Sequence, residues 1–415
     1  KQDNLLDFHK PALNDAAKPG IKALQNCSHD HLVDCPYYEQ MMYTGDTRLE
    51  LLAIYSMTRD NRLPLRCLRL FDFSRQAFGF CAERYTARED QLSPSFACIW
   101  VLALKDQAMW RNEPAVIKSF LSGVRGNLDS FLPYRRNDGL LYDLPGWTFI
   151  DWVEQWHEGY SPGAQSGCCG PSNLFYIMAL QAASFLEKIS GNEHLANHYQ
   201  ELATVTAQSY YPFFYNSRKK LFADDLEQKY FSEHSQVLAI LAGLRLDQTP
   251  QTFLQHMLSE PQLARCSVYF KYYLFDVFYR AGMGEQLLTQ YQDWAALKRH
   301  GLFTTPETFD NPRSDCHAWG AHAFFHMTAS LAGVRPAAPF FQSVRIAPVS
   351  AGLPVIKAVI PHPAGQEIIL DLKLTKNEAD QEQYTGEITL PEGLSGVYLF
   401  NEQTRALHAG LNEIR

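Results

Sequence analysis

Carboxylates set among aromatic rings occur in two stretches near opposite ends of the sequence. Asp34-Cys35-Pro36-Tyr37-Tyr38-Glu39-Gln40-Met41-Met42-Tyr43-Thr44-Gly45-Asp46 holds three carboxylates and three tyrosines in thirteen residues. Pro36 disfavours helix at Cys35, and Gly45 loosens the backbone beside Asp46, so the stretch reads as a shaped loop. The second stretch, 301–320, carries Glu307, Asp310, Asp315 and His317 and precedes the last predicted helix, as the first precedes a long helical pattern. If the helices close into a ring, both loops reach one mouth. A carboxylate from each can then flank a glycosidic bond, one giving a proton to the leaving oxygen and the other activating water or attacking carbon.

A third stretch, 133–170, is broken by prolines 133, 145 and 162 and by six glycines, and supports no helix or strand pattern. It carries Trp147, Asp151, Trp152, Glu154, Trp156, His157 and Glu158. A loop this long is functional or disordered, and clustered tryptophans argue against disorder. Metal chemistry competes for such acids, but the histidines are scattered and His317 has no partner at a metal-motif spacing. A GxSxG elbow, a phosphate loop and a dinucleotide fingerprint are all absent. Hydrolysis by two carboxylates remains.

These loops need a frame. Residues 1–33 read as a lead-in with at most a short helix. Helical periodicity then recurs over 49–57, 65–71, 96–109, 112–132, 171–189, 193–211, 232–244, 250–258, 268–282, 284–296 and about 316–331, the last stopping before Gly333. Ser93-Pro94 reads as a cap with a first-turn proline. Paired helices with chemistry in the loops between them predict a helical toroid. Near Arg335 the period changes to two, and short alternating runs from Val344 to Leu399 predict a small antiparallel β-sandwich. The expected division is a helical unit over 1–335 and a β unit over 336–415.

A chain of 415 residues exceeds what one core usually holds. Its net charge of −8 argues against nucleic acid as a partner, and no apolar run reaches the length of a membrane span. Nine cysteines without metal spacing, two of them adjacent at 168 and 169, predict free, mostly buried thiols. The start shows no signal peptide, and because Lys1 is not an initiating methionine, further chain is expected upstream. Compartment is left open between bacterial periplasm and cytoplasm, and so is assembly as a homodimer.

Five features together resemble the bacterial α-L-rhamnosidases of glycoside hydrolase family 78. They are Asp34-Cys35-Pro36-x-x-Glu39 followed by Thr44-Gly45-Asp46, the Asp151-Trp152 loop, Thr304-Thr305-Pro306-Glu307-Thr308, His317-Ala318-Trp319, and a β tail with Val344-Arg345-Ile346-Ala347-Pro348. The resemblance implies an (α/α)6 barrel followed by a β-sandwich, the C-terminal part of a longer inverting enzyme that works on a rhamnoside without an organic cofactor. It makes Glu39 the general acid, Glu307 the base that activates water, and Asp34 and Asp46 partners of rhamnose hydroxyls. Neighbouring Asp34 and Asp46 are expected to raise the pKa of Glu39, as an acid requires. Tyr43 and Asp151 join the expected substrate contacts, Trp147, Trp152 and Trp156 would wall the sugar, and His317 would bond a hydroxyl. The chain departs from the family pattern at Tyr38 and Gln40, near positions where arginine is common, and at Tyr43, where tryptophan is common. The alternatives are another (α/α)6 glycosidase, such as a glucuronyl hydrolase or an enzyme for a different deoxy-sugar, and a non-catalytic carbohydrate-binding protein.

Overall fold

The computed structural model describes residues 5–165, 167–401 and 403–415. In chain order the helices are α1 (Pro11–Asn26), α2 (Thr44–Met57), α3 (Arg62–Phe78), α4 (Pro94–Trp110), α5 (Pro114–Asp129), one-turn α6 (Pro162–Gln165), α7 (Gly170–Ile189), α8 (Glu193–Phe214), α9 (Glu233–Leu241), α10 (Pro250–Ser259), α11 (Lys271–Arg280), α12 (Gly284–Leu297) and α13 (His322–His326). The last is flanked by a 3-10 turn over Ala318–Ala321 and a π turn over Met327–Leu331.

Helices buried all round alternate with amphipathic ones. All 14 residues of α2 are buried, whereas α3 buries only the stripe Pro64, Cys67, Leu68, Phe71 and Ser74. A helix buried on every side belongs inside, and one with a single apolar stripe covers it from outside. Accordingly α2, α4, α7, α9, α11 and α13 touch in succession, and α13 closes on α2, making an inner ring. Six outer helices, α1, α3, α5, α8, α10 and α12, pack around it, giving an (α/α)6 barrel.

The two ends of the ring differ. Connections from inner to outer helices are short: 58–61, 111–113, 190–192, 242–249 and 281–283. Those from outer to inner are long: 27–43, 79–93, 130–169, 215–232, 260–270 and 298–321. Every long loop therefore lies at one mouth.

Two expectations need correction at the start of the chain. The lead-in contains a full helix, α1, whose buried face includes Ala16, Ala17, Gly20 and Ala23. A Cβ on Gly20 would stand 2.9 Å from the Ala321 backbone. Small residues make up much of its buried face, with Leu13 and Leu24 at its two ends, so its apolar period is faint in the sequence. Gly45 likewise sits inside the first turn of α2, where a Cβ would meet the Phe96 ring at 2.4 Å. It is there for contact, not turn freedom. Gly45→Ala is expected to cost about 1–3 kcal/mol by overpacking, measured as a lower urea midpoint.

The strands are β1 (Leu5–Asp7), a hairpin of β2 (Tyr215–Asn216) and β3 (Leu221–Phe222), then β4 (Val334–Pro336), β5 (Ser343–Ile346), β6 (Val355–Pro361), β7 (Glu367–Lys376), β8 (Glu382–Leu390), β9 (Ser395–Phe400), β10 (Gln403–Leu407) and β11 (Gly410–Ile414). The C-terminal sandwich pairs a sheet of order β1-β6-β7-β8-β11 with one of order β10-β9-β5-β4. Pairing is antiparallel except between β5 and β9. Strand β1 pairs with β6, so the sandwich includes residues from far before its expected boundary. Gly333, at φ 70°, turns the chain out of the last helix, and a Cβ there would strike the Ala347 carbonyl. All nine cysteines are free, eight of them buried. No helix among the described residues is long and apolar enough to cross a membrane.

Candidate active site

At the long-loop mouth lies a pocket lined by thirteen residues. The 27–43 loop supplies Asp34, Glu39 and Tyr43, and the first turn of α2 supplies Asp46; Glu83 comes from the next loop, and Glu307, Arg313 and His317 from the last. Phe96, Trp147, Phe149, Trp152 and Trp319 form the flat apolar walls. Backbone bonds between loops fix these parts. Thr44 N donates to Glu83 O at 2.8 Å, Tyr85 N to Met42 O at 3.1 Å, and Ala318 N to Asp34 O at 3.1 Å, so the first loop is tied to both neighbours in the ring.

Glu39 and Glu307 have one guanidinium as a common neighbour. Arg313 bonds Glu39 Oε1, and its Nε lies 3.8 Å from Glu307 Oε2, too far for a hydrogen bond. Tyr43 OH donates to the other oxygen of Glu39 at 2.6 Å. Glu307 is held by its backbone: its N–H donates to Ser314 O at 2.8 Å, and its carbonyl accepts from Trp319 Nε1 at 3.1 Å. Burial pushes Glu39 toward its neutral form, but the bonds from Tyr43 and Arg313 outweigh it and hold its pKa below the ordinary glutamate value. This corrects the expectation that Asp34 and Asp46 raise it. Burial of Glu307, with no comparable partner, pushes its carboxyl up.

The neighbouring acids carry the crowding instead. Burial raises Asp34, whose oxygens accept from Met41 N and the Cys35 thiol, both at 2.9 Å. Burial raises Asp46 further, with the Glu39 charge adding to it. His317 Nε2 meets Asp46 Oδ1 at 3.0 Å while its Nδ1 has no partner, and burial lowers the imidazole pKa, favouring the neutral ring. Asp34, Cys35 and His317 bring three potential metal ligands within 4.8 Å, and the Cys35 thiol is hydrogen-bonded to the Asp34 carboxylate.

Of the residues expected from the sequence, Asp34, Glu39, Tyr43, Asp46, Trp147, Trp152, Glu307 and His317 all line this pocket. Asp151 and Trp156 stand behind it. The Asp151 carboxylate accepts from Ser267 N at 2.8 Å and from Ser267 Oγ, and meets His234 Nε2 at 2.7 Å, fastening the tryptophan loop to two neighbouring elements. Trp156 packs at a tilt against that same histidine, ring centres 4.6 Å apart. Sequence reasoning passed over Glu83, Arg313, Phe96, Phe149 and Trp319. Glu83 had a usable signal, since it precedes an inner helix as Asp34 and Glu307 do.

The sequence matches the bacterial α-L-rhamnosidase six-hairpin glycosidase domain over residues 4–330. The chain belongs to this rhamnosidase family. Its fold is similar to that of the glycoside hydrolase family 78 rhamnosidase of Bacillus sp. GL1, with TM-score 0.87 and 22% identity over 97% of this chain and 43% of that one. A rhamnosidase from Klebsiella oxytoca with rhamnose bound matches at TM-score 0.67 and 18% identity, over 77% of this chain and 64% of that one. The α-L-rhamnosidase of Streptomyces avermitilis complexed with L-rhamnose matches at 0.76 and 13%, over 96% of this chain and 38% of that one. This rhamnosidase-family chain thus spans less than half the length of the Bacillus and Streptomyces enzymes. No curated protein matches it.

Proposed function

We propose that this chain is the catalytic part of an inverting α-L-rhamnosidase that releases terminal α-L-rhamnose, with the helical barrel as the catalytic unit and the sandwich, which takes in strand β1 and residues from 334 onward, as the accessory unit. The observation that carries the reading is that Glu39 and Glu307, from loops at opposite ends of the sequence, meet at one guanidinium in a pocket walled by aromatic rings. Glu39 gives its proton to the leaving oxygen as the glycosidic bond breaks, while Glu307 takes a proton from the water that adds to the sugar carbon from the opposite face. Asp34, Asp46, Glu83 and the free Nδ1 of His317 bond the sugar hydroxyls. The apolar face and methyl group of a deoxy-sugar lie against Trp147, Trp152 and Trp319. Tyr43 orients Glu39.

Hydrolysis of an aryl α-L-rhamnoside followed by proton NMR tests both substrate and stereochemistry. The β-anomer is expected to appear first and the α-anomer only by mutarotation; initial α-anomer refutes inversion, and a panel of other deoxy-sugar and uronide glycosides tests the sugar. Arg313 sets the pH profile. It lowers the pKa of both carboxyls, so in Arg313→Gln the limb where Glu307 ionises and the limb where Glu39 loses its proton both move to higher pH. A kcat/KM bell that stays in place would remove Arg313 from this role.

A further inference from the structure

We infer that the leaving-group side of the pocket is built for an acidic sugar, so that the bond cleaved joins rhamnose to a uronic acid whose carboxylate takes Arg313 from Glu39. The inference rests on the rhamnosidase reading and adds a second, charged subsite to it.

Arg313 is the one permanent cation among the described residues lining the pocket. The other titratable wall groups are acids, the Tyr43 phenol and an imidazole whose burial favours its neutral form. Arg313 is also half exposed, at 51%, whereas Glu307 beneath it is almost covered, so the guanidinium stands at the rim between both carboxylates and the solvent. Two exposed rings continue from it: the Tyr38 ring, 54% exposed, lies 5.8 Å from the guanidinium, and Tyr37, 78% exposed, meets Tyr38 edge to face at 5.0 Å. Exposed tyrosines beside a cation offer a shelf for the face of a second sugar and a partner for its carboxylate.

The ion pair explains why the charge belongs on the substrate. An acid must be protonated to act, and Arg313 keeps Glu39 ionised. A neutral leaving group offers nothing in exchange for that salt bridge. A uronate does: its carboxylate pairs with Arg313, charge is conserved at the rim, and Glu39 is released to take a proton from solvent and pass it to the leaving oxygen. A half-exposed pair exchanges partners at little cost, because neither ion pair is desolvated deeply.

The test compares hydrolysis of α-L-rhamnosyl glucuronate with α-L-rhamnosyl glucose, and calorimetric binding of free D-glucuronate with that of D-glucose. The wild type is expected to favour the acidic glycoside by roughly 10–100-fold in kcat/KM, the range of one charge-assisted hydrogen bond, and the preference is expected to shrink as salt is raised. In Arg313→Gln the ratio collapses toward one. Equal rates for the two glycosides, or a preference that survives Arg313→Gln, overturns the inference while leaving rhamnosidase activity standing. If no rhamnoside is cleaved, the parent reading fails, and the calorimetric arm still decides: glucuronate binding lost in Arg313→Gln supports the subsite, and glucuronate binding no tighter than glucose refutes it.

Discussion

Replacing Glu307 by glutamine should lower kcat/KM toward activated aryl and unactivated alkyl α-L-rhamnosides alike, by about 10²–10⁴-fold. The attacking water needs a base whatever the leaving group is, so no substrate escapes the loss. Glutamine keeps the shape of the side chain, and the Glu307 carboxylate makes no hydrogen bond that holds the fold; its nearest cation is the Arg313 Nε at 3.8 Å. Thermal unfolding should therefore change little, and removing a nearly buried charge can raise stability. Steady-state rates on both substrates with a circular dichroism melt check this, and activity within tenfold of wild type would remove Glu307 from the base role.

Glu39→Gln should behave differently. Its loss should reach about 10²–10⁴-fold on alkyl rhamnosides and be far smaller on a dinitrophenyl rhamnoside, whose leaving oxygen departs without a proton. That contrast identifies the acid. It also settles a specific tension in the site, because Arg313 and Tyr43 hold Glu39 down while burial pushes Glu307 up, the reverse of what the assigned roles require before substrate binds. If the leaving-group dependence belongs to Glu307→Gln instead, the two roles exchange.

Much of this was legible before the structure, and for identifiable reasons. Inner helices announce themselves by continuous apolar runs, as over Leu51–Tyr55 and Phe96–Leu104, and their spacing by the polar loops between. Both acidic loops could be read because proline, glycine and tryptophan mark them. Helix α1 was hidden because its tight contacts use alanine and glycine, and Gly45 was misread because a glycine chosen for a neighbour's ring looks in sequence like one chosen for a turn. Asp151 could not be told from a substrate ligand, since a loop anchor and a sugar ligand use the same carboxylate and only its partners, His234 and Ser267, separate them. Arg313 was invisible for a related reason. Its meaning lies in a contact with a residue 274 positions away.

The uneven loop lengths at the two ends of the ring have an electrostatic consequence. All six long loops lead into the N-termini of inner helices, and each such end carries roughly +0.5 elementary charge from its aligned peptide dipoles. Six positive ends converging on one mouth make it the end of the barrel where carboxyl groups can be crowded. The same field opposes an oxocarbenium-like transition state, which is itself positive. The pocket holds more acids than proton transfer alone would use: Asp34, Glu39, Asp46, Glu83 and Glu307 all line it. A ring wound in the opposite sense would greet a cation with carbonyl ends, yet it would repel the carboxylates gathered at this mouth.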